Sequence, residues 1–370
     1  MAHIRKHPTT GKPQVRYIDP WRKERSRTFD MMRDARAFMA EVEVAVSRGE
    51  YLDPRKGSIT LSDWSERWLE SRRGVRPSTK SRDRSYVRNH IVPDLGSLRL
   101  SEIAFDHVQE WVGRLESKEL APATVRKAYQ ILAQILELAV KARRIGWNPA
   151  RGVELPSLEE PDPRFITSEE IDRLADIIER RFRALVLLGG YCGTRWGEAA
   201  GLAVSRVDLL HRRITIDQAL TEVDGVLSLS PPKTKSSVRR IALPQFMIEE
   251  IEEHLATFAP GPNGVLVTTN DGFLLRRSNF RRRIWLPAVA AADLSPLPFH
   301  ALRHSHAALL IAQGEHPKVI ADRLGHASPN VTNAIYSHLF DGLDDLAAER
   351  LDQARNESHT DFSRTRDAQG

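Results

Sequence analysis

A proline-rich acidic segment near the middle of the chain limits what this sequence can fold into. Residues 148–163 contain Pro149, Pro156, Pro161 and Pro163, with acidic side chains between them. Proline lacks a backbone donor and breaks helices, so this composition indicates an exposed connector. A chain of 370 residues is also too long for one ordinary core. We therefore predict two or three domains, with residues 148–163 as a linker.

The residues at the start of the chain have the pattern of a small β unit. Gln14–Asp19 and Arg25–Phe29 alternate as short strands do. Met31–Ser47 then shows the period of a helix. These elements predict a first domain over residues 1–55.

The next segment is helical throughout. Apolar residues recur at helical spacing over Leu61–Ser71, Ser78–Ile91, Ser101–Leu115 and Ala123–Arg144. Ser78 is a residue type that caps helices. We predict a four-helix domain over residues 58–147.

The segment after the linker mixes helices with strands. It opens with the capping-box pattern Thr167–Glu170, and three further helices are predicted between Phe299 and Leu339. Strands are predicted at Arg213–Asp217, Val226–Leu229 and Arg239–Leu243. We expect a mostly helical domain over residues 164–350 and a flexible acidic tail over 351–370. The predicted fold class is mainly α with small β-sheets (α+β).

Composition narrows the classes of function. The hydrophobic share is 41% and the charged share 28%, as in globular chains. No run of about twenty apolar residues predicts a membrane span, and the first residues lack the apolar core of a secretion signal. Cys192 is the single cysteine, so an internal disulfide is excluded. We expect a cytoplasmic protein, associated with DNA in the nucleoid.

The charge is concentrated at the start of the chain. The net charge is +6, and the first 28 residues hold eight Lys or Arg against Asp19 and Glu24. A basic head on a nearly balanced body favours a polyanionic partner, most often nucleic acid. The alternative is a solvated basic surface without a partner.

Four motifs after the linker contain residue types that suit phosphate chemistry. They are Gly193–Glu198, Pro232–Ser237, His300–Arg303, and Leu324–His326 with Tyr336 ten residues further on. Each has an ordinary structural explanation when taken alone: a surface ion pair, a solvated turn, a pair on one helix face, a helix cap or a half-buried aromatic ring. Their order and spacing together point to a single site.

In that order and spacing the motifs resemble the tyrosine recombinase (phage integrase) family. The resemblance implies a site-specific DNA recombinase that cleaves and rejoins DNA through a 3′-phosphotyrosyl intermediate. It also implies a three-domain integrase architecture, with an arm-type DNA-binding unit, a helical core-site-binding domain and a catalytic domain. The implied catalytic residues are Arg195, Lys233, His300, Arg303, His326 and Tyr336.

The chemistry explains why these residue types are needed. Attack on a phosphodiester builds negative charge, which Arg195 and Arg303 can clamp while staying ionised. Tyr336 would store the energy of the cut strand in a phosphotyrosyl bond. His300 could act as its base, and His326 could donate to a phosphate oxygen.

The leaving 5′ oxygen needs a proton, for which a lysine is suited. The turn after Leu229 contains both Lys233 and Lys235. Turns of the family usually present one lysine, often followed by threonine, which favours Lys233. Counting back from the following strand without a gap favours Lys235 instead.

A metal site is the alternative to this interpretation. His300, His304 and His306 are clustered, and the first two are four residues apart, a spacing that can hold zinc on a helix. No nearby glutamate completes a His-Glu-x-x-His pattern. We therefore expect no metal and no cofactor, with His304 and His306 as packing or surface residues.

The resemblance also implies partners. They are double-stranded DNA with core-type and arm-type sites, a homotetramer on that DNA, and accessory factors such as a directionality protein and a host DNA-bending protein. The basic first domain favours a phage or mobile-element integrase. Two alternatives remain: a type IB topoisomerase-like enzyme, and a non-catalytic DNA-binding structural protein.

Overall fold

The architecture is taken from a computed structural model of the chain. It describes residues 2–20, 22–48, 51–53, 55–158, 164–232 and 237–326, together with 328, 330, 348, 352 and 355. The chain separates into two compact units, Met1–Glu160 and Pro161–Gly370. Within the described ranges, none of the helices is long and apolar enough to cross a bilayer.

The first unit begins with a three-stranded antiparallel sheet in the order β1-β2-β3, followed by a helix. The elements are β1 (His3–Lys6), β2 (Pro13–Ile18), β3 (Glu24–Thr28) and α1 (Met32–Ser47). Val15 and Tyr17 alternate towards α1 and pack with Ala35, Val42 and Tyr51. Because strand side chains alternate between faces, the opposite face of the sheet is left polar.

A separate apolar core holds the helical part of this unit together. Its helices are α2 (Leu61–Ser71), α3 (Pro77–Tyr86), α4 (Val92–Leu95), α5 (Phe105–Ser117) and α6 (Pro122–Lys141). A π-helical turn, Val87–Ile91, joins α3 to α4. The buried Trp64 and Trp111 satisfy their indole N–H groups on the carbonyls of Ile135 and His90.

Two predictions about helix starts in this unit were wrong. Ser78 does not cap α3: the helix begins at Pro77, without a side-chain cap, because the fixed φ of proline already suits a first helical turn. The helix expected from Ser101 begins instead at Phe105. The backbone N–H of Ala104 there donates to Nδ1 of His107.

The second unit is mainly helical. Its helices are α7 (Ser168–Ile177), α8 (Arg183–Cys192), α9 (Trp196–Ala200), α10 (Gln245–Thr257), α11 (Arg277–Phe280), α12 (Leu286–Ala291), α13 (Phe299–Ala312) and α14 (Pro317–Leu324). A π-helical turn, Arg281–Trp285, links α11 to α12. The predicted capping box is confirmed, since Thr167 and Glu170 cap each other's backbone at the start of α7.

The strands of this unit form two small antiparallel sheets. They are β4 (Val207–Asp208), β5 (Arg213–Ile216), β6 (Ala219–Val223), β7 (Val226–Ser230) and β8 (Arg239–Ala242). One sheet has the order β4-β5-β8, and β6 pairs with β7 alone. The three predicted strands correspond to β5, β7 and β8. The fold class, mainly helical with small sheets, is confirmed.

Close packing of α8 against α13 positions two of the candidate motifs. A Cβ on Gly189 would lie 2.8 Å from Cδ1 of Leu302, which shows how closely the two helices approach. The buried run of α8 leads directly to Arg195, and α13 carries His300 and Arg303. The third helix expected before Leu339 lies outside the described residues.

Candidate active site

Arg195 is held at the point where α8 gives way to α9. Gly193 ends α8 in the left-handed region, with φ of 63°, where a Cβ would lie 2.6 Å from the His306 ring. Glu198 then accepts hydrogen bonds from Arg195 twice, from the backbone N–H at 3.0 Å and from Nη1 at 2.7 Å. The side chain of Arg195 remains 40% exposed. The guanidinium is therefore oriented and still accessible.

Arg303 is buried and oriented by backbone carbonyls. Only 2% of its surface is exposed. Its Nη1 donates to the carbonyl of Gly193 and its Nη2 to the carbonyl of Leu324, both at 2.6 Å. One guanidinium thus fastens the end of α8 to the end of α14.

His300 lies one helical turn before Arg303. Its ring packs edge-to-face on His304, with ring centroids 4.7 Å apart. Partial burial, and then the charges of His304, Arg303 and Arg195, lower the pKa of His300 to about 4. The imidazole is therefore neutral at pH 7, the protonation state that a general base must have before the reaction.

His326 directly follows the left-handed cap of α14 at Gly325, and its backbone N–H donates to the carbonyl of Ala321 at 2.9 Å. Partial burial lowers the pKa of His326 to about 4, with Arg303 and Arg195 as the next largest causes. His300 and His326 therefore lie in the field of the same two arginines. The structure brings together four of the predicted residues: Arg195, His300, Arg303 and His326.

The other two predicted residues lie outside the described part of the chain. Lys233 and its alternative Lys235 fall between β7 and β8, and Tyr336 falls after α14. The described residues on either side of the lysine turn are Pro232 and Ser237. The backbone continues from Ser237 into β8, which pairs with β5.

Two residues at this site were not assigned a role from the sequence. Arg239 is 8% exposed, and its Nη2 donates to Oε2 of Glu198 at 2.8 Å. Burial acts to raise the pKa of Glu198, but Arg239 and Arg195 together hold it at about 2. A sequence signal did exist, because strand alternation with Ile241 places Arg239 on the buried side of β8.

His306 belongs to a buried network behind the site. Its Nδ1 donates to the carbonyl of Gly190 at 3.1 Å, and its Nε2 accepts from Nε of Arg323 at 3.0 Å. These two contacts select the neutral ring with the proton on Nδ1. Burial, and then Arg323, lower the pKa of His306 to about 3. His306 is thus a packing residue, as expected.

This network predicts a loss of stability in mild acid. The pKa of His306 is about 3 in the fold and about 6.5 in an unfolded chain. Because the unfolded chain binds a proton on His306 more readily than the fold does, the free energy of unfolding is highest above pH 6.5. It falls as the pH drops towards 3, by about 2 kcal/mol at pH 5. In calorimetric unfolding, the free energy of unfolding of the wild type should fall by about 2 kcal/mol more than that of His306→Gln between pH 7 and pH 5.

The matched control is His3→Gln, because His3 is exposed in the first unit. The lowered pKa values of His300 and His326 also reduce stability in acid. They do so equally in wild type, His306→Gln and His3→Gln, and therefore do not affect the comparison. An equal fall in the free energy of unfolding of wild type and of His306→Gln on acidification would contradict the assignment of His306 as a buried neutral residue.

Tyr191, on α8, is poorly suited as a nucleophile. Its hydroxyl donates to Oδ1 of Asp172 at 2.8 Å. Burial and that carboxylate raise its pKa well above the usual value. Within the described ranges, no group of three or more His, Cys, Asp or Glu side chains could hold a metal ion.

Comparison with protein families identifies the class. The model described as the phage integrase family matches residues 164–342, and the model for the phage integrase N-terminal SAM-like domain matches residues 60–115. The chain therefore belongs to the phage integrase family of site-specific tyrosine recombinases, which are enzymes. These matches favour neither the topoisomerase-like nor the non-catalytic alternative.

Individual relatives agree with this placement. The integrase of Mycobacterium phage D29 is 26% identical over 339 residues, which cover 87% of this chain and 89% of that protein. The Tn1549 transposon integrase, in complex with a circular intermediate DNA, superposes with a TM-score of 0.69 at 19% identity, over 80% of this chain and 100% of that one. A lambda integrase tetramer bound to a Holliday junction gives 0.57 at 19% identity, over 89% and 96%. Both structures show the same fold.

Proposed function

We propose that this recombinase integrates or excises a phage or other mobile element by covalent strand exchange through Tyr336. The observation that carries the proposal is the convergence of Arg195, Arg303, His300 and His326 in one cluster of the second unit. The similarity to integrases of a phage and of a transposon supports a mobile-element substrate.

The proposed reaction balances without a cofactor. The phenol oxygen of Tyr336 attacks phosphorus, its proton passes to His300, and a Tyr–O–P bond forms at the 3′ side as the P–O5′ bond breaks. Arg195 and Arg303 stabilise the added charge on the non-bridging oxygens, and His326 donates to one of them. A 5′ hydroxyl from the partner strand later reverses these steps, so that religation needs no ATP.

Lys233 is proposed as the acid that protonates the leaving 5′ oxygen, and Lys235 remains the alternative. A substrate with sulfur in place of the bridging 5′ oxygen tests this, because a thiolate leaves with little need of a proton. Lys233→Ala should cripple cleavage of normal DNA and leave cleavage of the sulfur substrate nearly intact.

Lys235→Ala is the matched control. A lysine that only contacts a phosphate should show the same defect on both substrates. Rescue by sulfur in Lys235→Ala, and not in Lys233→Ala, would transfer the role to Lys235.

We propose that the working complex is a homotetramer on two double-stranded DNA segments. The solved lambda integrase tetramer on a Holliday junction supports this assembly. A directionality protein and a host DNA-bending protein remain proposed accessory partners. Residues 58–147 are proposed to bind core-type DNA, and residues 164–350 to carry the catalysis.

The polar face of the N-terminal sheet supports an arm-type DNA-binding role for residues 1–55. A hydrogen-bonded row crosses the three strands on this face: Nε of Arg5 donates to Gln14 at 3.0 Å, and the Gln14 amide donates to Ser26 at 3.5 Å. Arg16 lies on the same face of β2, two residues after Gln14. Such a row offers donors to phosphates and to base edges.

Removing this unit should separate cleavage from integration. A chain starting at Ser58 should still cleave core DNA, because the apolar core of the helical part is distinct from that of the β unit. It should fail in complete integration, measured with an arm-bearing attachment site. Integration at the wild-type level would overturn the arm-binding role.

Covalent capture tests the proposed function as a whole. The attachment core would first be mapped as a repeated sequence at the ends of the integrated element. A nicked duplex of that core traps the covalent complex, because the strand beyond the cut diffuses away. We expect a protein–DNA band resistant to denaturant, in buffer containing EDTA, since the arginines supply the positive charge. Absence of the band would overturn the proposal.

A further inference from the structure

Arg239 is a buried arginine that contacts three separate parts of the candidate site. Its Nη2 donates to Oε2 of Glu198 at 2.8 Å, its Nε to the carbonyl of Arg323 at 2.7 Å, and its Nη1 to the carbonyl of Ser237 at 3.2 Å. Its side chain is 5% exposed. A charge buried this deeply is costly unless every contact is satisfied, so the three acceptors fix its position.

The contact with Glu198 reaches Arg195. The two oxygens of Glu198 divide their donors: Oε1 accepts Nη1 of Arg195, while Oε2 accepts both the Arg195 backbone N–H and Arg239. Arg239 thus holds the carboxylate in the orientation from which it aims the Arg195 guanidinium.

The contact with α14 reaches His326. The carbonyl of Arg323 accepts from Arg239, and the carbonyl of the next residue, Leu324, accepts from Arg303. Gly325 follows, and a Cβ there would lie 3.1 Å from Cδ of Arg239. The carboxyl end of a helix carries partial negative charge, which favours two guanidinium groups at this point. Together they fix the backbone from which His326 projects.

The third contact reaches Ser237. Ser237 is the first described residue after residues 233–236, and its carbonyl accepts from Arg239 two residues later. The guanidinium therefore also holds the backbone of the short segment that leads into β8.

We propose that Arg239 is a positioning residue for strand cleavage, which fixes the relative positions of Arg195 and His326 without contacting DNA. The proposal rests on the proposed function, because the catalytic roles of those residues do. Lysine cannot replace Arg239, since a single ammonium group cannot reproduce the planar fork that meets three acceptors.

The test measures cleavage and binding separately. Full-length Arg239→Gln and Arg239→Lys are compared with wild type on the nicked core duplex, at saturating protein and in a single turnover. Misplacing catalytic groups by a fraction of an ångström should slow cleavage about 10- to 100-fold. The Kd for the duplex should stay within about two-fold, because the Arg239 side chain is only 5% exposed. Arg239→Lys retains the charge and serves as the variant that folds if Arg239→Gln does not.

A double variant tests the route through Glu198. If Arg239 acts on Arg195 through that carboxylate, Glu198→Gln should add little to the defect of Arg239→Lys. Arg183→Gln is the matched control, because Arg183 is another arginine of this unit that makes more than one contact, in its case with the carboxylates of Glu250 and Asp176. It should lower the Tm and leave the cleavage rate unchanged.

Three outcomes would overturn the inference: a cleavage rate for the Arg239 variants no lower than that of Arg183→Gln, a defect confined to Kd, or fully multiplicative effects with Glu198→Gln. If wild type itself forms no covalent complex, the proposed function fails, and this inference fails with it. Normal capture by wild type separates the two failures.

Discussion

Replacing Tyr336 by phenylalanine should abolish the covalent protein–DNA complex completely. The change removes one oxygen, the atom proposed to attack phosphorus, and leaves the ring in place. No other group can form the same bond at that position, so the loss should be total rather than partial. The Kd for the core duplex should be unchanged, measured by gel shift beside the denaturing capture gel.

Tyr191→Phe is the control for this experiment. Tyr191 is partly buried and its hydroxyl donates to Asp172, so loss of that hydroxyl should cost some stability and leave capture intact. Digestion of the wild-type complex should yield one phosphotyrosyl peptide, containing Tyr336. A phosphotyrosyl peptide that maps to any other tyrosine would end the assignment.

Arg195→Ala should lower the rate of cleavage by about 10²- to 10³-fold, equivalent to about 3–4 kcal/mol of transition-state stabilisation. The guanidinium is held by Glu198 but is 40% exposed, so it is fixed in orientation and open to a phosphate. Its loss should be far more evident in the rate at saturating protein than in Kd. Arg206→Ala is the control, because Arg206 forms an exposed ion pair with Asp217 in the same unit.

Arg303 is better tested by a conservative substitution than by removal of the side chain. Its removal would leave the carbonyls of Gly193 and Leu324 without their donor, and unsatisfied buried groups cost about 1–3 kcal/mol each. Arg303→Lys keeps the charge, and it should show a rate loss of similar order to Arg195→Ala with a smaller fall in Tm. If both arginine variants lost only affinity, the two side chains would be phosphate contacts outside the chemistry.

Local signals in the sequence were sufficient for much of the fold. The capping box at Thr167 could be predicted because its hydrogen bonds join residues three apart in the chain. The helices α2 and α6 were found because their apolar faces repeat over several turns. The strand β6 was missed, although Asp224 and Gly225, both with positive φ, form the Asp-Gly turn typical of a hairpin between β6 and β7.

The candidate site could be predicted only as a set of residue types in order. The cluster of Arg195, His300, Arg303 and His326 depends on α8, α13 and α14 meeting, and that meeting depends on long-range packing such as Leu302 against Gly189. The role of Arg239 could not be predicted from the sequence, because that role also depends on long-range contacts. Two of its three acceptors are 41 and 84 residues distant in the chain, beyond the reach of any local pattern.

The anchoring of Arg303 by two peptide carbonyls has a consequence for how such a site can change during evolution. A side-chain partner can be exchanged together with its arginine, as the charges of the ion pair between Arg206 and Asp217 could be swapped. Backbone carbonyls carry no such freedom, because every residue at positions 193 and 324 supplies the same oxygen. A lost Arg303 therefore has no complementary substitution at those positions that could restore the anchor, and position 193 is further restricted because a Cβ there would lie 2.6 Å from the His306 ring. Selection for second-site revertants of an Arg303 variant should therefore recover none at the two carbonyl positions.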